Sequence, residues 1–167
     1  THLIGAYNLD NVLAAVSVGL YFGLTPAQIN HALENYVPTN NRSELVQTKD
    51  NVLIVDAYNA NPTRMAAALD SFVHVSQPQP KMAILGDMRE LGEVSAEEHQ
   101  KIVDTLKADH LTDVWLVGEE FMKTHCDYNK FKDVAAVKEA IARNKPQGKC
   151  ILIKGSNGTR LFELPAL

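Results

Sequence analysis

Residues 52–55 read Val-Leu-Ile-Val, an apolar run of strand-forming side chains that stops abruptly at Asp56. A polar crest of Tyr58, Asn59 and Asn61 follows, with Pro62 where the first turn of a helix would begin. Met65 to Leu69 then continue as good helix formers. A strand feeding a helix through a polar turn is the building unit of open α/β sheets, which present ligand-binding groups at the carboxyl ends of their strands. The same residues also suit an ordinary turn, where Asn and Asp serve local hydrogen bonding alone.

The rest of the chain repeats that alternation after a helical opening. Asn8 or Asp10 can cap a helix running to Phe22 and ended by Gly23, and Thr25-Pro26 opens a second helix through Ile29, Leu33 and Tyr36. Pro38 to Asn41 reads as a polar linker. Glu44–Thr48 and Val52–Val55 form a hairpin pattern around Lys49-Asp50-Asn51. Further strands are expected over Lys81–Leu85, Val114–Val117 and Cys150–Ile153, the second holding Trp115 in the core. Helices are expected over Pro62–Ser76, from Ser95 (with Glu98 completing a capping box), over Glu119–His125 and over Val134–Arg143 capped by Asp133. The fold class expected is α/β, a Rossmann-like, mostly parallel sheet with helices on both faces, preceded by a short helical segment.

Bulk properties exclude several function classes. The 167 residues carry a net charge of −4 with both signs interspersed, so no basic footprint points to nucleic acid or an anionic membrane. No apolar run approaches the roughly 18 residues of a membrane span. Cys126 and Cys150, distant in sequence and without metal-ligand spacing, suit a reducing compartment and predict no metal site. The chain starts at Thr1 without an initiator Met or a signal-peptide pattern, as expected of a piece of a longer protein.

Three strand ends carry polar or glycine-rich crests: Asp56–Asn61; Gly86–Gly92, with Ser95 and His99 beyond it; and Lys154–Gly158. In a parallel sheet all three fall on one edge. Lys154-Gly155-Ser156 can cradle a phosphate or carboxylate or be simply a turn. His99 suits packing as well as a site, and the other five histidines read as structural or surface residues. Neither a dinucleotide fingerprint nor a Walker A loop is present.

Five strings together resemble the Mur ligases. They are Gly5-Ala-Tyr-Asn-Leu-Asp-Asn11 with Ala14-Ala15, Arg42-x-Glu44, Asp56-Ala-Tyr-Asn-Ala-Asn-Pro62, Leu85-Gly-Asp-Met-x-Glu-Leu-Gly92 with His99, and Ile153-Lys-Gly-Ser-Asn-Gly-x-Arg-Leu161. The third string is most similar to the branch of that family that adds D-alanyl-D-alanine. The resemblance implies that residues 1–38 are the helical end of a central ATPase domain and that 39–167 are a C-terminal Rossmann-like domain. The UDP-sugar domain, the phosphate loop and the magnesium ligands would then lie upstream. Two positions depart from the family pattern: Tyr7 stands where His is usual, and Arg64 where a small hydroxyl residue is common.

What the resemblance implies can be carried residue by residue. Asn8 and Asn11 would contact adenine, Arg42 the ATP phosphates and Asp56 the ribose, with Arg42 and Asp56 as the catalytic pair. Tyr58, Asn59, Asn61, Asp87, Lys154 and Ser156 would position the substrates. Guanidinium pairs bidentately with phosphate oxygens, and carboxylate accepts well from hydroxyls. ATP with Mg2+, UDP-N-acetylmuramoyl-tripeptide and D-alanyl-D-alanine are the implied cofactor and substrates, in a bacterial cytoplasm. Two alternatives stay open: a sister amino-acid ligase of the family, and a non-catalytic ligand-binding domain on the same fold.

Overall fold

The computed structural model describes residues 8–36 and 44–166. Helix α1 (Leu9–Tyr21) starts at Asn8, whose side chain accepts a hydrogen bond from Asn11 Nδ2 at 3.1 Å rather than capping the backbone. It ends at Gly23, whose φ of +78° lets Gly23 and Leu24 N–H return to the carbonyls of Leu20 and Gly19. Helix α2 (Pro26–Asn35) has the capping box its sequence suggests: Thr25 Oγ1 accepts from Gln28 N–H, and Gln28 Oε1 accepts from Thr25 N–H at 2.9 Å. The two helices pack where Gly19 meets Ile29, a contact with no room for a Cβ. Several apolar side chains on and beside these helices, including Leu13, Leu20, Phe22 and Tyr36, are exposed, while Val12, Val16 and Leu33 are half-buried. The expected boundary at 38–39 and the candidate Arg42 lie outside the described residues.

The remainder is a six-stranded sheet of order β1-β2-β6-β3-β4-β5, built from β1 (Glu44–Gln47), β2 (Val52–Asp56), β3 (Lys81–Gly86), β4 (Val114–Val117), β5 (Asn129–Phe131) and β6 (Cys150–Lys154). β1 pairs antiparallel with β2 through the Thr48–Asn51 turn, and every other pairing is parallel. Helices α3 (Pro62–His74), α4 (Ser95–Ala108), α5 (Glu119–Met122) and α6 (Val134–Arg143) make the crossovers. Short 3-10 turns precede α4 (Gly92–Val94) and follow β6 (Asn157–Thr159, Leu161–Ala166).

Alternation along the central strands builds two cores. Ile54, Leu85, Cys150 and Leu152 face Met65, Leu69 and Phe72 of α3, Ile102, Val103 and Leu106 of α4, and Phe121 of α5. Val55, Ile84, Ile151 and Ile153 face Val137 of α6 with Leu161 and Leu164. Each fully buried side chain of this size stabilises the fold by about 1.5–3 kcal/mol, and burial on both faces is why the strands read as continuous apolar runs.

Four sequence expectations are corrected. Ser95 forms no capping box. The chain is already turning at Gly92–Val94, so Ser95 has helical dihedrals, its hydroxyl donates to Glu120 Oε2 at 3.0 Å, and Glu98 pairs with Lys101. The expected helix over 119–125 stops at Met122, and Trp115 is only half-buried, against Phe131. Strand β5, with Lys130 at its centre, carries no apolar run and was not expected.

Candidate functional site

Because β6 lies between β2 and β3, the three crests are immediate neighbours at the carboxyl edge of the sheet. Register aligns Asp56, Lys154 and Leu85 across the strands. Lys154 is 1% exposed, with its Nζ 2.5 Å from Asp56 Oδ2 and 3.3 Å from the Asn59 carbonyl. A buried ammonium needs such partners, because desolvating it alone is costly. Asp56, Asn59 and Lys154 therefore form one group, in which the ammonium bonds Oδ2 of the Asp56 carboxylate and the Asn59 carbonyl. Asn61 does turn chemistry: its side chain caps α3 by accepting from Arg64 N–H at 2.9 Å, ahead of Pro62. Tyr58 and Asn59 are exposed.

Asp87 and Ser156 form a second group. The Asp87 carboxylate accepts from Glu120 N–H through Oδ2 and from Phe121 N–H through Oδ1, both at 3.0 Å, holding the start of α5. Ser156, buried, donates to the Asp87 carbonyl at 2.6 Å, and Thr159 Oγ1 donates to the Ser156 carbonyl at 2.7 Å. Gly118 must be glycine here. Its φ is +124°, and a Cβ would lie 2.2 Å from Asp87 Cγ. His99, fully buried, lies behind this group, edge-on to Phe121 with ring centroids 4.7 Å apart.

A cleft of about 960 Å³ opens over the ends of β3 and β4 and reaches Lys132 and Asp133 beyond β5. Its walls carry both signs of charge, with Arg89, Lys123, Lys132 and Arg160 against Asp87, Glu90, Glu119 and Glu120. Lys123 lies 2.5 Å from Glu120. That hydrogen bond holds the Glu120 carboxyl below the usual carboxylate range and pushes the Lys123 ammonium up. Arg160 pairs with Glu163, while Arg89 donates to the Gly158 carbonyl at 3.4 Å. Left-handed or glycine-only backbone gathers around this cleft, at Glu90 (φ 64°), Gly92 (56°), Gly118 (124°) and Arg160 (56°). Strain of this kind clusters where a site is pre-shaped.

The structure thus joins Asp56, Asn59 and Lys154 in one group, Asp87 and Ser156 in another, and Asn8 with Asn11 on α1. Among the described residues no group of three or more His, Cys, Asp or Glu could hold a metal ion, and no helix is long and apolar enough to cross a membrane. Sequence reading did not single out the cleft cations. Arg89 and Arg160 fell inside quoted strings, whereas Lys123 and Lys132 carry no local signal.

The chain is 31% identical to the UDP-N-acetylmuramoyl-tripeptide–D-alanyl-D-alanine ligase of Bacillus subtilis, over 97% of this chain and 38% of that protein. A crystal structure of MurF from Acinetobacter baumannii superposes with a TM-score of 0.81 at 29% identity, over 97% of this chain and 37% of that one. MurF ligase from Thermotoga maritima, solved in complex with ADP, shares the fold with a TM-score of 0.78 at 22% identity, over 98% of this chain and 38% of that one. The chain therefore spans well under half the length of these relatives. Residues 41–157 match the family described as Mur ligase, glutamate ligase domain, and the chain belongs to that family.

Proposed function

We propose that this chain is the C-terminal part of an ATP-dependent amide ligase that joins D-alanyl-D-alanine to UDP-N-acetylmuramoyl-tripeptide. One observation carries the reading. The string Asp56–Pro62, the most similar to the dipeptide-adding branch, folds onto the same sheet edge as the Gly86–Gly92 and Lys154–Gly158 crests, beside a cleft of mixed charge. The curated relative from Bacillus subtilis bears the name of that activity and aligns over 97% of the chain.

In this reading residues 1–38 close a central ATPase domain, and 39–167 are the domain that swings onto it. The exposed apolar side chains of α1 and α2 support a larger body around them. Asn8 and Asn11 meet adenine, Arg42 meets the phosphates, and the Asp56 carboxylate accepts from the ribose while Lys154 holds its Oδ2. Mg2+ would be held by upstream residues.

The tripeptide carboxylate attacks the γ-phosphorus of ATP, ADP leaves, and an acyl phosphate forms. The dipeptide amine then adds to the acyl carbon, and phosphate departs with the bridging oxygen. The cleft beside Asp87 and Ser156 seats the zwitterionic acceptor, with cations such as Lys132 for its carboxylate and carboxylates such as Glu119 for its ammonium before deprotonation. Domain closure positions the reactants and keeps water from the acyl phosphate. The isolated chain is accordingly inactive, and the parent enzyme works in the bacterial cytoplasm, where both nucleotides are found.

Phosphate release by the full-length protein, given ATP, Mg2+ and UDP-muramoyl-tripeptide, tests the proposal. Release that requires D-alanyl-D-alanine supports it. Release with a single amino acid instead assigns a sister ligase, and no release with any acceptor leaves a non-catalytic binding domain.

A further inference from the structure

His99 is the one fully buried histidine among the described residues, and its two ring nitrogens have different partners. Nε2 lies 3.0 Å from the Met88 backbone N–H, a donor, so Nε2 must carry the lone pair. Nδ1 lies 2.7 Å from the Ser95 carbonyl, an acceptor, so Nδ1 must carry the proton. The other groups facing the ring are the Ser95 hydroxyl at 3.4 Å, Asp87 Oδ1 at 3.7 Å and the Phe121 ring. Nε2, the nitrogen nearer Asp87, accepts from Met88 N–H and has no proton to give the carboxylate, so the two do not form a catalytic pair. A ring with no exposure and both nitrogens occupied has nothing to offer substrate directly.

Its partners are nevertheless the two walls of the cleft. Met88 begins the turn that carries Arg89 and Glu90 into the cleft, and Glu90 sits there with φ of 64°. Ser95 reaches across to Glu120 on α5, whose backbone is gripped by Asp87. We propose that His99 is a positioning residue, which in its Nδ1–H tautomer ties the Gly86–Gly92 turn to α4 and so fixes the cleft wall against which the acceptor lies. The proposal rests on the ligase reading for its kinetic consequence and on geometry alone for the tie itself. Losing the acceptor at Nε2 strands the Met88 N–H in a buried place, and the turn must move to rehydrate it. The Asp56–Lys154 pair spans β2 and β6, makes no contact with His99 and is untouched.

Two variants separate positioning from bulk stability. Gln extends an amide to the level of Nε2 and can accept from Met88, whereas Asn reaches only the level of Nδ1. In the full-length ligase, His99→Asn should raise KM for D-alanyl-D-alanine about tenfold, with KM for ATP and kcat within about twofold, and His99→Gln should recover most of that loss. Long-range 1H–15N spectra of the wild-type protein at neutral pH should show a protonated Nδ1 and a bare Nε2. Overturning results are the opposite tautomer or an imidazolium, a His99→Gln variant no better than His99→Asn, an unchanged KM for the dipeptide in His99→Asn, or KM for ATP and dipeptide rising together. If the wild-type enzyme ignores the dipeptide, the ligase reading fails. The tautomer and the slow exchange of the Met88 amide, kept in His99→Gln and lost in His99→Asn, then decide the tie.

Discussion

Asp56→Ala should harm the fold more than Lys154→Met, although each removes the same ion pair. The asymmetry comes from burial: the lysine side chain is 1% exposed and the aspartate 13%. Without Asp56 the ammonium keeps only the Asn59 carbonyl at 3.3 Å and cannot reach water, so the cost is that of a stranded buried charge, about 3–5 kcal/mol. Without Lys154 the carboxylate rehydrates at the sheet edge, and Met preserves most of the apolar stem, for about 1–2 kcal/mol. For a chain of this size each kcal/mol lowers Tm by about 2–4 °C, so the gap between the variants is several degrees. Adding Lys154→Met to Asp56→Ala should then restore about 2 kcal/mol, because the stranded charge is removed. Urea unfolding followed through Trp115, the single tryptophan, which packs on Phe131 with ring centroids 4.9 Å apart, reads all three variants. A double variant as unstable as Asp56→Ala, or equal losses in the two single variants, would refute the reasoning.

Gly118→Ala should cost more than about 3 kcal/mol and widen the cleft, since a Cβ would meet the Asp87 carboxylate at 2.2 Å in a backbone region open only to glycine. Urea midpoints and exchange of the Glu120 and Phe121 amides measure it, and a loss under about 1 kcal/mol would contradict the packing. Burial pushes the Cys150 thiol and the Tyr128 hydroxyl above their ordinary values of 9.0 and 10.0. The folded chain then keeps protons that the unfolded chain has released, so stability falls as pH rises beyond about 9. Cys150→Ala should delay that fall to about pH 10, and urea midpoints that stay level across this range would count against it.

How much of this could be read from the chain depends on how local the cause was. The strands buried on both faces announced themselves as apolar runs, and the caps at Thr25 and Asp133 are choices made within three residues. β5 was illegible because Asn129-Lys130-Phe131 holds its place by pairing with β4, not by its own pattern. Ser95 and Glu98 matched a capping box, yet a 3-10 turn upstream supplied the helix start and freed the hydroxyl for Glu120, 25 residues away. Of the site, the crests were legible as residue types at strand ends. That Lys154 would sit between Asp56 and Leu85 was not, because it follows from β6 inserting between β2 and β3 after two long crossovers. The cleft cations were hidden for the same reason: exposed Lys123 and Lys132 gain meaning only from neighbours distant in sequence.

The most direct test of the account labels both oxygens of the terminal tripeptide carboxylate with 18O and follows them in the full-length protein with ATP, Mg2+ and D-alanyl-D-alanine. Activation through an acyl phosphate places one 18O in each phosphate released and leaves one in the new amide, with turnover only when the dipeptide is present. Unlabelled phosphate, or labelled phosphate formed equally well without the dipeptide, would contradict the account.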